Sequence, residues 1–205
     1  EIPSSLVGSE MCIRDSPFQE ATWRAYLEGR SGLIQVPTGS GKTFAAVMGP
    51  MARMLAEEQP LTGIRLVYIT PLRALSRDLS LAIREPIEAM GWPIRVGIRN
   101  GDSSSSERTK QLKAAPQILV TTPESLALLL SNAKAEELFG QLETVILDEW
   151  HELMGSKRGS QTELCLSWLR QLRPQLQTWA ISATIGNLEQ ACLLYTSDAA
   201  DDCWS

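Results

Sequence analysis

Short apolar runs alternate along the chain with longer segments in which apolar residues recur every three or four positions. The short runs are rich in β-branched and bulky side chains, as expected for strands that are covered on both faces. The longer segments have helical spacing and are long enough to connect parallel strands. This alternation predicts an α/β fold with three layers, a mostly parallel sheet between helices on both faces. The predicted strands are 33–36, 66–69, 96–98, 118–120, 145–147 and 179–181.

The segment 72–90 shows the helical spacing most clearly. We expect this helix to pack one apolar face on the sheet, and Pro86 to bend it or end it early. The segment 100–106 contains Asn-Gly-Asp and four serines, which predict a turn followed by a short helix from Ser106. The apolar residues that define this face of the 72–90 helix are Leu72, Leu75, Leu79, Ile83 and Ile87.

The two ends of the 205-residue chain are unusual. Residues 11–16 (MCIRDS) can be encoded by a DNA string whose reverse complement encodes CLLYT, the sequence of residues 192–196. Unrelated protein termini have little reason to be reverse complements, and both ends resemble a translated sequencing adapter. We therefore expect residues 1–16 and 192–205 to be non-native tails, and residues 17–191 to form one domain.

Setting the tails aside changes the composition. Of 19 basic residues only Arg14 lies in the tails, whereas six of the 24 acidic residues do, so the domain carries 18 of each sign although the chain has a net charge of −5. Cys165 is the one cysteine of the domain, which suits a reducing cytoplasm, and we expect it to be a small buried hydrophobe. No apolar run is long enough to span a membrane. The single His151 and the lack of a Cys-x-x-Cys pair argue against a zinc site.

The segment 36–43 (VPTGSGKT) lies between a predicted strand and a predicted helix. Glycines allow successive N–H groups to converge on an anion at a helix start, which is how phosphate-binding loops work. Lys42 would then reach the β- and γ-phosphates, and the Thr43 hydroxyl would ligate Mg²⁺. We predict that this turn binds ATP through Pro37, Thr38, Gly39, Ser40, Gly41, Lys42 and Thr43.

Two carboxylates follow the predicted strand 145–147 directly. They stand at the carboxyl end of a parallel strand, the edge at which open sheets bind ligands. Asp148 is placed to hold Mg²⁺, and Glu149 to orient a water for in-line attack on the γ-phosphate. An Asp-Glu pair alone can be a simple helix cap, but together with Lys42 and Thr43 it predicts an ATP-hydrolysing site.

These motifs, in this order, resemble those of the superfamily-two helicases, the DEAD/DEAH-box class. PTGSGKT, DEWH and the Ser-Ala-Thr at 182–184 resemble motifs I, II and III, and Phe18-Gln19 resembles the adenine-reading glutamine element. TPLRAL from Thr70 and TTPES from Thr121 resemble motifs Ia and Ib. The Asn-Gly-Asp turn and segment 150–159 resemble the Lhr-type (large helicase-related) branch, most closely the bacterial ligase-associated helicases.

The resemblance implies a RecA-like P-loop domain with ATP and Mg²⁺ as cofactors. It implies that Gln19 bonds the adenine, that Lys42, Asp148, Glu149 and His151 act in catalysis, and that His151 works with Ser182, Ala183 and Thr184 to couple the γ-phosphate to nucleic acid. It also implies sequence-independent contacts with single-stranded nucleic acid, DNA rather than RNA, in a DNA repair context. The residues implied for that strand are Pro71, Arg73, Gly101, Thr121, Thr122, Pro123 and Glu124.

Several alternatives remain open from the sequence. Arg73 can be a solvated surface charge, the strand contact of Lys157 and Arg158 is undecided, and the tryptophans can be core residues rather than stacking surfaces. A P-loop kinase or small-molecule ATPase shares the phosphate turn, and a non-enzymatic nucleic-acid-binding module shares the strand motifs. The resemblance also implies a second RecA-like domain with an arginine finger beyond residue 191, so we expect residues 17–191 alone to bind ATP–Mg²⁺ weakly and to hydrolyse it poorly.

Overall fold

The computed structural model describes residues 16–37, 39–153 and 155–183. Within them, six strands form one sheet in the order β1-β6-β5-β2-β4-β3, and every neighbouring pair is parallel. Each predicted strand is present, with bounds that differ from the prediction by at most two residues. The strands are β1 (Gly32–Gln35), β2 (Leu66–Ile69), β3 (Val96–Arg99), β4 (Ile118–Thr121), β5 (Thr144–Leu147) and β6 (Gln177–Ser182).

Helices cover both faces of this sheet. The first three pack on one face, and the fifth, sixth and eighth pack on the other, so the predicted three-layer α/β fold is confirmed. Among the described residues, no helix is long and apolar enough to cross a lipid bilayer. The helices are α1 (Pro17–Leu27), α2 (Lys42–Leu55), α3 (Arg73–Met90), α4 (Ser105–Lys113), α5 (Pro123–Leu130), α6 (Ala135–Phe139), α7 (Trp150–Leu153) and α8 (Lys157–Leu172).

The central strands divide their side chains between the two faces. In β2, Tyr68 joins the apolar cluster under α1, α2 and α3, whereas Val67 and Ile69 join the cluster under α5, α6 and α8. All four residues of β2 are buried, because both faces are covered and neighbouring strands lie on both sides. The alternation fixes which side chains near the carboxyl edge meet the start of α2.

Helix α3 departs from the prediction in two ways. It does not end early at Pro86 but continues to Met90, because the proline is buried near the end of the helix, where one backbone hydrogen bond is lost; a bend at Pro86 stays a prediction. Leu72 and Leu75 are 50% and 39% exposed, since the first turn lies at the carboxyl edge of the sheet rather than over its face. Leu79, Ile83 and Ile87 pack on the sheet as predicted.

Other side chains settle smaller questions. Helix α4 begins at Ser105, one residue before the predicted start, and Ser104 caps it by accepting a hydrogen bond from the Glu107 N–H. Cys165 is a buried free thiol whose pKa is raised by burial to about 11, as expected for a small hydrophobe. Trp150 and Trp179 are buried core residues, which removes them as candidate stacking surfaces.

Candidate functional site

The phosphate turn has the backbone that its glycines predict. Gly39 and Gly41 have φ angles of 80° and 86°, in the left-handed region that side chains disfavour. Gly41 is the N-cap of α2, which begins at Lys42, and the Ser40 hydroxyl closes the turn by donating to the Pro37 carbonyl at 2.7 Å. The turn therefore directs the free N–H groups of a helix start toward one point, the arrangement that binds phosphate. Thr38 lies outside the described residues.

The Lys42 ammonium is buried and has donors to spare. Its side chain is 11% exposed, and Nζ makes no hydrogen bond to any described residue. Glu149 Oε1 lies 4.0 Å away, which is close enough for electrostatic attraction but too far for a hydrogen bond. A buried ammonium with unused donors is costly unless an anion with several acceptor oxygens completes it. A nucleotide phosphate has that chemistry.

Asp148 and Glu149 leave the carboxyl end of β5 as predicted. The pKa of Asp148 is raised to about 6, mainly by burial and next by the negative charge of Glu149. The Glu149 N–H donates to Asp148 Oδ1 at 3.0 Å, and Glu149 itself has a φ of 42°. A left-handed angle at a non-glycine residue costs about 1 kcal/mol or more, so the fold holds this carboxylate in a specific direction.

The side chains present fit a magnesium ion. The described residues contain no group of three or more His, Cys, Asp or Glu that could hold a metal alone. Mg²⁺ needs no such cage, since it binds through one or two protein oxygens together with phosphate and water. The Thr43 hydroxyl at the start of α2 and the Asp148 carboxylate at the end of β5 supply two such oxygens.

His151 joins the DEWH segment to the end of β6. A hydrogen bond of 2.9 Å links His151 Nδ1 to Ser182 Oγ, and the same nitrogen lies 3.4 Å from Glu149 Oε2. The structure thus brings together Glu149, His151 and Ser182, as the sequence predicts for a coupling element. Ala183 follows half-buried, and Thr184 lies outside the described residues.

Gln19 reaches the phosphate turn from α1. It is 5% exposed, its Nε2 donates to the Gly41 carbonyl at 3.3 Å, and its Oε1 accepts from the Ser16 N–H at 3.1 Å. Both ends of the carboxamide are therefore engaged within the protein. The predicted adenine contact stays a prediction, for which the carboxamide keeps one N–H and one oxygen lone pair. Ser16, which the sequence analysis assigns to a tail, is the N-cap of α1.

A second surface lies at the same edge of the sheet, beyond β2 and β4. The Arg73 guanidinium packs on Gly101 so closely that a Cβ there would stand 2.6 Å from Arg73 Cζ. Arg73 also lies 4.0 Å from Asp102 Oδ1, although its side chain remains 55% exposed. The Asn100 side chain holds the turn by accepting from the Asp102 N–H at 3.0 Å. Arg73 and Gly101, predicted from separate motifs, are therefore direct neighbours.

Arg158 connects this surface to α8. Its Nε donates to Glu124 Oε1 at 2.7 Å and its Nη1 donates to the Pro71 carbonyl at 3.1 Å. The role of Arg158 was open from the sequence, because the spacing of motifs does not reveal contacts with segments that are 34 and 87 residues away. In this structure Arg158 links the TTPES segment, through Glu124, to the TPLRAL segment, through Pro71.

Thr121 and Thr122 are in the predicted place, but their hydroxyls face the protein. Thr121 Oγ1 donates to the Arg99 carbonyl at 2.7 Å, and Thr122 caps α5 by accepting from the Ser125 N–H at 3.5 Å. Both residues are buried, as is Pro123. The exposed side chains of this surface include those of Arg73 and Glu124.

Arg99 and Arg108 form a pair of like charges that the sequence analysis missed. Arg108 Nη2 lies 3.3 Å from the carbonyls of both Asn100 and Gly101, to which it donates. Burial and the neighbouring Arg108 lower the pKa of Arg99, whose Nη1 is buried and finds no partner among the described residues. The signal in the sequence is their position on either side of the Asn-Gly-Asp turn.

Residues 16–191 match the model of the family described as DEAD/DEAH box helicase. The chain is 36% identical over 196 residues to an Lhr helicase/probable uracil glycosylase of Mycolicibacterium smegmatis, an alignment covering 90% of this chain and 13% of that protein. It is 35% identical over 188 residues to the ATP-dependent helicase Lhr-Core of Methanothermobacter thermautotrophicus, covering 84% of this chain and 22% of that protein.

A solved structure agrees with these relatives. The structure of the Mycobacterium smegmatis helicase Lhr bound to ssDNA and AMP-PNP superposes with a TM-score of 0.74 at 38% identity, covering 83% of this chain and 23% of that one. The chain therefore spans less than a quarter of the length of each of these three proteins.

Proposed function

This chain belongs to the DEAD/DEAH box helicase family, and from that premise we propose that it is the ATP-binding motor domain of an Lhr-type, ATP-dependent nucleic-acid helicase. One observation carries the proposal. The buried Lys42 ammonium, with unused donors, lies 4.0 Å from Glu149 Oε1, and His151 connects that glutamate to Ser182. Lys42 and the carboxylate pair thus share one polar cluster with Ser182, the last residue of β6.

Each residue of the cluster has a distinct task in this proposal. The phosphate turn and Lys42 bind the β- and γ-phosphates of ATP, and Thr43 with Asp148 holds the Mg²⁺ that accompanies them. When bound, that ion neutralises phosphate charge. Glu149 orients the attacking water and accepts its proton, since its carboxylate is fixed in direction by the left-handed backbone. His151 contacts both Glu149 and Ser182 through its Nδ1, so a movement of the glutamate on nucleotide binding reaches the serine.

We propose that the second surface binds single-stranded DNA without regard to sequence. Arg73 and Gly101 would contact phosphates, which gives binding that weakens with salt. The Lhr structure that this chain resembles was determined with ssDNA and AMP-PNP, and that ligand pair supports DNA over RNA. We extend the proposal to a role in DNA repair and, because the domain carries one buried free thiol, to the reducing cytoplasm.

The proposal concerns a longer protein. We infer a second RecA-like domain that closes on the nucleotide and carries an arginine finger, and we retain the inference that residues 1–16 and 192–205 are non-native tails. The reverse-complement relation of the two ends supports the latter inference. A small-molecule kinase would share the phosphate turn, but membership of the helicase family argues against it.

Lys42→Ala tests the function directly. We expect the affinity for AMP-PNP in the presence of Mg²⁺ to fall by about 30-fold or more, because removing one partner of a buried charged contact costs about 2–5 kcal/mol. Isothermal titration calorimetry measures this affinity, and Lys134→Ala, which changes an exposed lysine at the start of α6, is the control.

Fluorescence anisotropy with labelled single-stranded DNA completes the test, with RNA of the same sequence as a competitor. Lys42→Ala should leave strand binding without nucleotide within about two-fold, because the strand surface does not include Lys42. Equal AMP-PNP affinity in wild type and Lys42→Ala would contradict the proposal and favour a binding module that does not use ATP. Stronger competition by RNA than by DNA would contradict the assigned strand.

A further inference from the structure

Tyr68 stands in the middle of β2 beneath the carboxyl edge of the sheet. It is fully buried and packs in the apolar cluster on the face covered by α1, α2 and α3. The register of β2 and β5 sets Tyr68 opposite Ile146, which belongs to the same cluster. Side chains two positions apart along a strand share a face. Asp148, two residues after Ile146 and just beyond the end of β5, is therefore on the same face as Tyr68.

The hydroxyl of Tyr68 is buried and has no hydrogen bond of ordinary length to any described residue. Its neighbours are nevertheless polar. The pKa of Tyr68 is raised first by burial and then by the charge of Asp148, whereas a polar interaction with the Thr43 hydroxyl lowers it. A buried tyrosine hydroxyl usually finds a partner, and one left unsatisfied costs about 1–3 kcal/mol. The polar groups that act on this one include the two predicted Mg²⁺ ligands, Thr43 and Asp148.

The core itself does not require that hydroxyl. A phenylalanine would fill the same apolar space between β4 and β5 without bringing a polar atom into it. The other buried tyrosine of the domain, Tyr26, shows the ordinary arrangement, since its hydroxyl lies 3.0 Å from Thr144 Oγ1 in a satisfied hydrogen bond. The hydroxyl of Tyr68 is therefore explained by what lies above it rather than by packing.

We propose that Tyr68 is a positioning residue that aligns Thr43 and Asp148 for the magnesium ion bound with ATP, an inference that rests on the proposed function. A phenol can donate one hydrogen bond and accept another. When its O–H donates to the Asp148 carboxylate, its oxygen can accept from the Thr43 hydroxyl, whose lone pairs then point away toward the metal. The Glu149 N–H already fixes Asp148 Oδ1, so the two donors together set the rotation of the carboxylate.

Two buried tyrosines, Tyr68 and Tyr26, provide a test variant and a matched control. Tyr68→Phe removes one hydroxyl beneath the proposed metal ligands, and Tyr26→Phe removes one buried hydroxyl at the opposite edge of the sheet. AMP-PNP binding to the whole chain is measured by isothermal titration calorimetry at a series of Mg²⁺ concentrations and in EDTA. The melting temperature of each variant checks that both remain folded.

We expect Tyr68→Phe to raise the Mg²⁺ concentration at half-maximal effect by about 10–100-fold, the usual loss when a group that orients a metal ligand is removed. Its affinity for AMP-PNP in EDTA should stay within about two-fold of wild type, because Lys42 and the phosphate turn are intact. Tyr26→Phe should leave the Mg²⁺ dependence unchanged. A structural defect alone would lower both affinities and would not produce this separation.

Two results would overturn the inference, for different reasons. If Tyr68→Phe and Tyr26→Phe both keep the wild-type Mg²⁺ dependence, the hydroxyl of Tyr68 has no positioning role, while the proposed function stands. If the wild-type chain binds no AMP-PNP with or without Mg²⁺, the proposed function fails and takes the inference with it.

Discussion

The surroundings of Asp148 disfavour its ionised form and so lower the stability of the folded chain. Its carboxylate is half-buried and sits beside Glu149, and both features favour the protonated form in the folded chain. Lys42 approaches Glu149 Oε1 only to 4.0 Å, so the lysine does not fully offset the local negative charge. Such uncompensated groups are typical of binding sites, which reach their best electrostatics only with the ligand present.

The raised pKa of Asp148 predicts how stability depends on pH in the absence of metal. The carboxyl binds a proton with a pKa of about 6 when folded, against 3.8 for the unfolded reference. Between these values the folded state holds more protons than the unfolded state, so this group makes the free energy of unfolding fall as pH rises from about 4 to about 6. The shift corresponds to a cost of up to about 3 kcal/mol at pH 7.

Asp148→Asn should therefore stabilise the chain in EDTA at pH 7 and should lose most of that gain at pH 4, where the wild-type carboxyl is already neutral. Urea unfolding at both pH values measures the difference, and Asp102→Asn, an exposed residue of the second surface, is the control. A gain in stability that is the same at both pH values would show that the effect does not come from the ionisation of Asp148.

At the scale of elements, the junction of α7 and α8 is the tightest contact near the cluster. A Cβ at Gly159, in the first turn of α8, would collide with the backbone carbonyl of Leu153 at the end of α7. Gly159 is buried, and its N–H donates to the Ser156 hydroxyl that caps α8. Close approach of the two backbones therefore requires glycine at this position.

Gly159→Ala should destabilise the chain by about 1–3 kcal/mol, since the new methyl forces a shift of backbone rather than of a flexible side chain. Because α7 carries His151, the shift should also disturb the contact with Ser182 and weaken AMP-PNP binding. Ser160→Ala changes an exposed residue of the same turn and should alter neither property. Thermal unfolding and calorimetry distinguish the outcomes, and an unchanged melting temperature for Gly159→Ala would refute the tight junction.

The elements also show how far sequence reasoning reaches. The strands were predictable because a strand buried on both faces must be apolar along its length, as β2 is. The phosphate turn was predictable because Gly39 and Gly41 fit a backbone that few other residues adopt. The early helix end expected at Pro86 was wrong, because the sequence could not weigh the burial of the proline against one lost hydrogen bond. Periodicity likewise could not tell that α3 starts beyond the face of the sheet.

Contacts across the sheet were the other gap. The strand order places β5 beside both β2 and β6, and nothing in the spacing of motifs gives that order. Tyr68 reads as an ordinary core residue until β2 is known to pair with β5, which puts its hydroxyl under Asp148. Arg158 reads as a surface charge until the structure shows its bonds to Glu124 and the Pro71 carbonyl.

At the scale of the whole molecule, both candidate sites lie along the carboxyl edge of a single sheet. The polar cluster of Lys42, Glu149 and His151 lies at β1, β5 and β6. The second surface, which includes Arg73 and Gly101, lies at β2, β3 and β4. Strands β2 and β5 are neighbours, and the Asp148 N–H donates to the Ile69 carbonyl at 2.8 Å, so the two sites adjoin where β5 meets β2. A shift in the DEWH segment on nucleotide binding can therefore reach the segment that starts with Thr70.

This arrangement predicts a low catalytic rate for the chain alone. The described residues form one six-stranded sheet with its helices. The chain spans 13–23% of the length of the three similar proteins. An arginine finger from a second domain contributes about 10³–10⁵ in rate, and the proposed function assigns that residue to sequence outside this chain. We expect the 205-residue chain to turn over ATP at about one-thousandth of the rate of a two-domain protein or less, with no stimulation by single-stranded DNA.

A phosphate-release assay with and without single-stranded DNA measures this rate, and Glu149→Gln provides the background, because it keeps the shape of the side chain but cannot accept a proton. Residual turnover by wild type should exceed that background only slightly, since Lys42 and Glu149 are present but the transition-state charge is incompletely neutralised. Brisk, DNA-stimulated hydrolysis by the chain alone would show that its own residues complete the site, and the division of labour between two domains would then be wrong.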